Sequence, residues 1–94
     1  MIILEDVERL YDAFSRAAYE PRHLDGKTKE LIAFSNAVIV DCKHCMRVHY
    51  KRAIAAGATE EEIAEATAIA MSISAGKARA VAREVIGEIT AGNK

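Results

Sequence analysis

Apolar residues recur at three- and four-residue steps along most of the chain, a spacing that predicts helices rather than strands. Leu4, Val7, Leu10, Tyr11, Phe14 and Ala18 form one stripe, so a first helix is expected from about Leu4 to Ala18. The segment Tyr19-Glu-Pro-Arg-His-Leu-Asp-Gly26 interrupts it, because proline and glycine both stop helices. A second helix is expected from about Lys27 to Val40. Leu31, Phe34, Ala37 and Val38 share one of its faces, while Ile32, Ile39 and Val40 add apolar surface elsewhere. A helix that is apolar nearly all round is buried on most sides, and in a short chain the natural cover is another subunit. Asp41 is a good N-cap residue for a third helix, which Gly57 would end. Thr59-Glu-Glu-Glu62 reads as a capping box ahead of Ile63, Ala66, Ile69, Ala70 and Ile73. Around Ser74-Ala75-Gly76 the pattern fits either a short break or a kink in one long helix, and helix then continues to about Ile89. The expectation is an all-α bundle of about five helices.

With 94 residues the chain is read as a single domain spanning 1–94, with a small core and a reason to form oligomers. The net charge of -1 gives no basic footprint for nucleic acid. Lys43, Arg47, Lys51 and Arg52 cluster, but Glu60-Glu61-Glu62 offsets them, and both groups read as solvated helix faces. The N-terminus lacks the features of a signal peptide, and no apolar run is long enough to span a bilayer. A cytoplasmic protein with no membrane association is therefore expected. Thiols are mostly kept reduced in that compartment.

Only two cysteines are present, Cys42 and Cys45, and they lie close together. A disulfide between them would close too small a loop to be a useful staple, so the pair reads as catalytic, redox-active or metal-binding. On a helix beginning near Asp41, the steps to Cys45 and His49 keep Cys42, Cys45 and His49 on one face. His44 lies about 100° around from Cys45. A thiol in the first turn sees the positive end of the helix dipole, which favours the thiolate, and Lys43 and Arg47 act in the same direction. Glu30, on the preceding helix, would meet His49 if the two helices pack antiparallel. Thiol, base and orienting acid together make an activated nucleophile. A zinc site from Cys42, Cys45, His49 and either His44 or Glu30 is the main rival, although no distant second pair of ligands exists. Two small buried hydrophobes would be the bland alternative.

Glu30, eleven residues, then Cys42-x-His44-Cys45-x-x-x-His49 resembles the signature of the AhpD-like alkylhydroperoxidases of the carboxymuconolactone decarboxylase superfamily. The flanking text, Leu24-Asp-Gly-Lys-Thr-Lys-Glu30 before it and His49-Tyr-Lys-Arg through Gly57 to Ile63 after it, is similar too. The resemblance implies an AhpD-like helical fold assembled into homo-oligomers, commonly trimers or hexamers. It implies that Cys45 attacks a peroxide and becomes a sulfenic acid, and that Cys42 resolves it to a Cys42–Cys45 disulfide. His49 and Glu30 would relay the proton from Cys45, with His44 in support. The substrate would be an organic hydroperoxide or small disulfide, and the reductant a dithiol protein of lipoyl-bearing or thioredoxin-like type. This scheme needs no cofactor and no resident metal. Dipole reasoning alone favours Cys42 as the low-pKa thiol, whereas the resemblance gives the attack to Cys45, and the latter assignment is taken forward. Longer members carry two related helical halves, so pairing of two of these single-unit chains would replace the second half. The alternatives are a non-catalytic metal-binding or thiol-sensing oligomer, or decarboxylase or lactone chemistry as in other branches of the superfamily.

Overall fold

The computed structural model describes residues 2–92, which form four helices and, among the described residues, no strand. Helix α1 runs Glu5–Tyr19, α2 Gly26–Ile39, α3 Lys43–Ala55 and α4 Glu60–Gly92. The fourth and fifth expected helices are thus one continuous element of 33 residues. Ser74, Ala75 and Gly76 pass straight through it. A single glycine costs a helix only about 1 kcal/mol relative to alanine, too little to end one flanked by strong helix formers.

Short-range capping explains the boundaries. Asp25 caps α2, its Oδ1 accepting the Thr28 backbone N–H at 2.7 Å. The capping box before α4 is formed in both directions. Thr59 Oγ1 accepts from the Glu62 N–H at 3.1 Å, and Glu62 Oε1 accepts from the Thr59 N–H at 2.9 Å. Helix α3 ends in a Schellman turn: Gly57 takes a left-handed φ of 98°, its N–H donates to the Ile54 carbonyl, and the Ala58 N–H donates to the Ala53 carbonyl.

The junction of α2 and α3 departs from expectation. Asp41 does not cap α3; it adopts φ 56°, the left-handed region that non-glycine residues seldom occupy. Its N–H donates to the Val38 carbonyl at 3.2 Å, and the Cys42 N–H donates to the Ala37 carbonyl at 3.0 Å. This is a Schellman ending for α2 with Asp41 where glycine usually stands. The N-cap of α3 is Cys42, whose Sγ accepts the Cys45 N–H at 3.2 Å. Cys42 therefore closes one helix with its N–H and opens the next with its side chain.

Helix α2 lies at the centre, packed against α3 and α4 and, more lightly, α1. The core is small: Phe34, Ala53, Ala58 and Ile63 are buried together, with Leu31, Val38 and Met46 against them. Alanine at Ala53 lets the helix backbones approach closely. Lys27 of α2 donates to Glu62 at the start of α4 at 2.9 Å.

Much apolar surface is left uncovered. Leu10 and Phe14 on α1 are each 70% exposed, and α4 is exposed at every described position from Met71 onward. The radius of gyration is 18.4 Å, against about 12 Å for a compact chain of this length. The accessible surface is 7551 Å², against about 5,300 Å² for a compact monomer of this mass. No helix among the described residues is long and apolar enough to cross a membrane.

Two expectations follow. Asp41→Gly relieves the left-handed backbone and raises unfolding free energy by up to about 1 kcal/mol in denaturant titration. The acid limb of stability depends on Asp25 and Glu62. The Thr28 side chain and backbone N–H hold the Asp25 carboxyl below its ordinary value, and the Lys27 ammonium with the Thr59 N–H does the same for Glu62. Depressed carboxyl pKa values contribute stability above the unfolded pKa, which is lost as pH falls through the folded one. Thermal unfolding midpoints therefore drop below about pH 4, and the combined Asp25→Asn, Glu62→Gln variant shows a shallower drop.

Candidate active site

The turn at Asp41 folds α3 back along α2 and brings Glu30 opposite His49. Glu30 is buried, only 9% exposed, in the first turns of α2. Its Oε2 lies 2.6 Å from His49 Nδ1. A carboxylate only accepts, so Nδ1 carries the proton and donates to it. The pair is largely withdrawn from solvent, with the side chains 12% and 11% exposed for His49 and Glu30. The remaining ring nitrogen, Nε2, is then the basic atom of a neutral His49. It lies 3.2 Å from the hydroxyl of Tyr19, the last residue of α1, whose ring stacks on the imidazole with centroids 5.1 Å apart.

Cys42 and Cys45 are bonded to each other, with Cα atoms 5.2 Å apart. Both are half-buried, as is His49 on the following turn. The hydrogen bonds of His49 run to Glu30 and Tyr19, and none runs to a sulfur. The Cys42 sulfur sits at the N-terminus of α3, where unpaired backbone N–H groups concentrate positive potential. His44 is exposed and makes no side-chain hydrogen bond to the described residues. Of the five residues singled out in the sequence, the structure thus gathers Glu30 with His49 and Cys42 with Cys45, and leaves His44 outside both pairs. Among the described residues, no three His, Cys, Asp or Glu side chains converge as metal ligands.

From the sequence, Tyr19 is one of three tyrosines, with Tyr11 and Tyr50, that could border the site or a subunit interface, and nothing local places it at the imidazole. It falls in the stretch read as a helix break, thirty residues from its partner. Burial, then the Glu30 carboxylate, push its phenol above the ordinary value, so it remains a protonated donor. Its hydroxyl donates to Nε2 when the imidazole is neutral.

The carboxymuconolactone decarboxylase family pattern matches residues 5–88. The chain belongs to this family. It is 35% identical over 80 residues to an uncharacterised protein of the cox locus of Paracoccus denitrificans, covering 85% of this chain and 72% of that one. Its fold is similar to a crystal structure from Methanobacterium thermoautotrophicum at a TM-score of 0.83 and 35% identity, covering 92% of this chain and 99% of that one. It is also similar to a carboxymuconolactone decarboxylase family protein of Thermotoga maritima for which an antioxidative role has been suggested. That match has a TM-score of 0.70 and 33% identity, over 90% of this chain and 87% of the other. Within the family, the chain carries the AhpD-like arrangement of glutamate, paired cysteines and histidine.

The Glu30–His49 bond makes a stability prediction. Glu30→Gln replaces a charge-assisted hydrogen bond with a neutral one and lowers unfolding free energy by about 1 kcal/mol. Glu30→Ala leaves the buried Nδ1–H unpaired and costs about 2–3 kcal/mol. Denaturant unfolding of the two variants in parallel checks the order.

Proposed function

We propose that this family member is a thiol-dependent peroxidase working through the Cys42/Cys45 pair. The observation that carries the reading is the buried Glu30–His49 hydrogen bond, with His49 one helical turn along α3 from a Cys42–Cys45 disulfide that sits at the N-terminus of that helix. In the reduced protein, His49 takes the proton of Cys45, with Glu30 stabilising the imidazolium that forms. The Cys45 thiolate attacks the terminal oxygen of an organic hydroperoxide. The O–O bond breaks, the alkoxide leaves with a proton as alcohol, and Cys45 becomes a sulfenic acid. The Cys42 thiolate, favoured by the positive end of α3, then attacks the Cys45 sulfur and breaks its S–O bond, forming the disulfide; the hydroxide leaves as water by taking up the proton that the Cys42 thiol had released. This division reconciles the dipole argument with the AhpD-like assignment: the N-cap sulfur is the resolving one, and the thiol four residues before His49 on α3 attacks.

Two electrons and two protons from a dithiol partner of lipoyl-bearing or thioredoxin-like type restore the thiols. Small disulfides are the other substrates that such a pair accepts. His44, which is exposed on α3, has a supporting part in this scheme, outside the Glu30–His49 pair. The uncovered apolar faces of α1 and α4 support a homo-oligomer, a trimer or hexamer, in which those faces are buried between copies. A cytoplasmic location suits an enzyme whose pair must be reduced each cycle.

The test is the intact mass of the reduced protein before and after one equivalent of tert-butyl hydroperoxide. Wild type loses two hydrogens. Cys45→Ser consumes no peroxide, and Cys42→Ser stops at a Cys45 sulfenate that dimedone captures. Undiminished peroxide consumption by Cys45→Ser would sink the reading.

A further inference from the structure

Tyr19 is the one residue at the site that the peroxidase scheme does not use, and several features place it deliberately. Helix α1 has no buried residue, and only Ser15 and Tyr19 along it are even half-buried. Its C-terminal end is nevertheless pinned. Lys29 of α2 donates through Nζ to the carbonyls of Ala18 at 3.0 Å and Glu20 at 2.6 Å, the two residues that flank Tyr19. Lys29 is the neighbour of Glu30, so one turn of α2 holds both the acid that orients His49 from one side and the helix end that delivers Tyr19 from the other. Stacking of the tyrosine ring on the imidazole fixes the ring plane, and the hydroxyl lies at Nε2. The ionisable groups that face Tyr19 are Glu30 from α2, His49 and Arg52 from α3, and Tyr11 from its own helix.

We propose that Tyr19 is a positioning residue of this site: its hydroxyl occupies the proton-accepting nitrogen of His49 while the cysteines are disulfide-bonded, and it must yield that nitrogen when the Cys45 thiol is to be deprotonated. The inference rests on the proposed role of His49 as the base for Cys45. In the disulfide form there is no thiol proton to accept, and Nε2 is satisfied by the phenol. Reduction by a dithiol adds two electrons and two protons, breaks the S–S bond and leaves two thiols. The thiol is the stronger acid of the two candidate donors, at about 8.5 against about 10 for a phenol. Although S–H is the weaker hydrogen-bond donor, the thiol gives up its proton to Nε2 more readily than the phenol does, and each such transfer must first break the Tyr19 hydrogen bond. Tyr19 thereby keeps the imidazole oriented throughout the cycle and slightly restrains the thiol.

Tyr19→Phe separates the two parts of this role, since it keeps the stacking ring and removes the hydroxyl. Reduced wild type and variant are alkylated with iodoacetamide across a range of pH, and the modified cysteine is mapped. The variant's profile moves to lower pH, and Cys45 alkylation below the midpoint speeds up by roughly two- to tenfold, the factor for one neutral hydrogen bond. An unchanged profile, or one moved to higher pH, overturns the proposal. The second readout is the ¹⁵N resonance of His49 Nε2 in the disulfide form. It shifts on Tyr19→Phe if the phenol holds that nitrogen, and an unmoved resonance overturns the proposal equally. Neither readout uses a peroxide. A wild-type protein inert to hydroperoxides would thus defeat the peroxidase reading while leaving the role of Tyr19 to be decided by these results.

Discussion

The turn of three residues between α2 and α3 is the constraint on which the remaining arrangement depends. Val40, Asp41 and Cys42 reverse the chain through a left-handed Asp41, with both hydrogen bonds of a Schellman ending made. That reversal lays α3 against α2, sets Glu30 opposite His49, and puts Cys42 at the head of α3. The same backbone geometry thus positions an acid–base pair and a sulfur in a helix dipole. Strain in a sparsely populated backbone region persists where the surroundings over-determine it, and such positions tend to lie at functional sites.

Burial and chemistry are unevenly shared among the helices. The packed centre, around Phe34, Ala53, Ala58 and Ile63, supports α2, α3 and the first turns of α4. Helix α1 and the rest of α4 contribute almost nothing to it. Even so, α1 supplies Tyr19 to the histidine, and Lys29 holds it there. The contacts of His49 are therefore drawn from three helices, one of which is attached chiefly at the end that carries Tyr19. Partners for the exposed stripes of α1 and α4 would also steady that attachment.

The sequence conveyed most where the physics is local. Helix content followed from three- and four-residue apolar spacing, and the Thr59–Glu62 box and the Gly57 stop are formed as read. It failed where two local rules competed. Asp41 has a good N-cap side chain, yet it became the left-handed terminator of α2, because the N–H groups of residues 41 and 42 found the last free carbonyls of that helix. Cys42, a poor cap by propensity, took the vacant position. At Ser74–Gly76 the weak penalty of one glycine was outweighed by the helix formers on both sides.

By itself the sequence determined an all-helical chain, its family, and the spacing that places Cys42, Cys45 and His49 on successive turns, since all of these rest on residues within a few positions of each other or on one recurring pattern. Only the tertiary structure decided that Glu30 and His49 touch, that His44 stands apart, and that Tyr19 closes the other side of the imidazole. Those contacts join residues 19 and 30 positions apart. No local periodicity encodes such a distance, which is set by the angle at which one turn sends α3 back along α2 and by the lysine that anchors the end of α1.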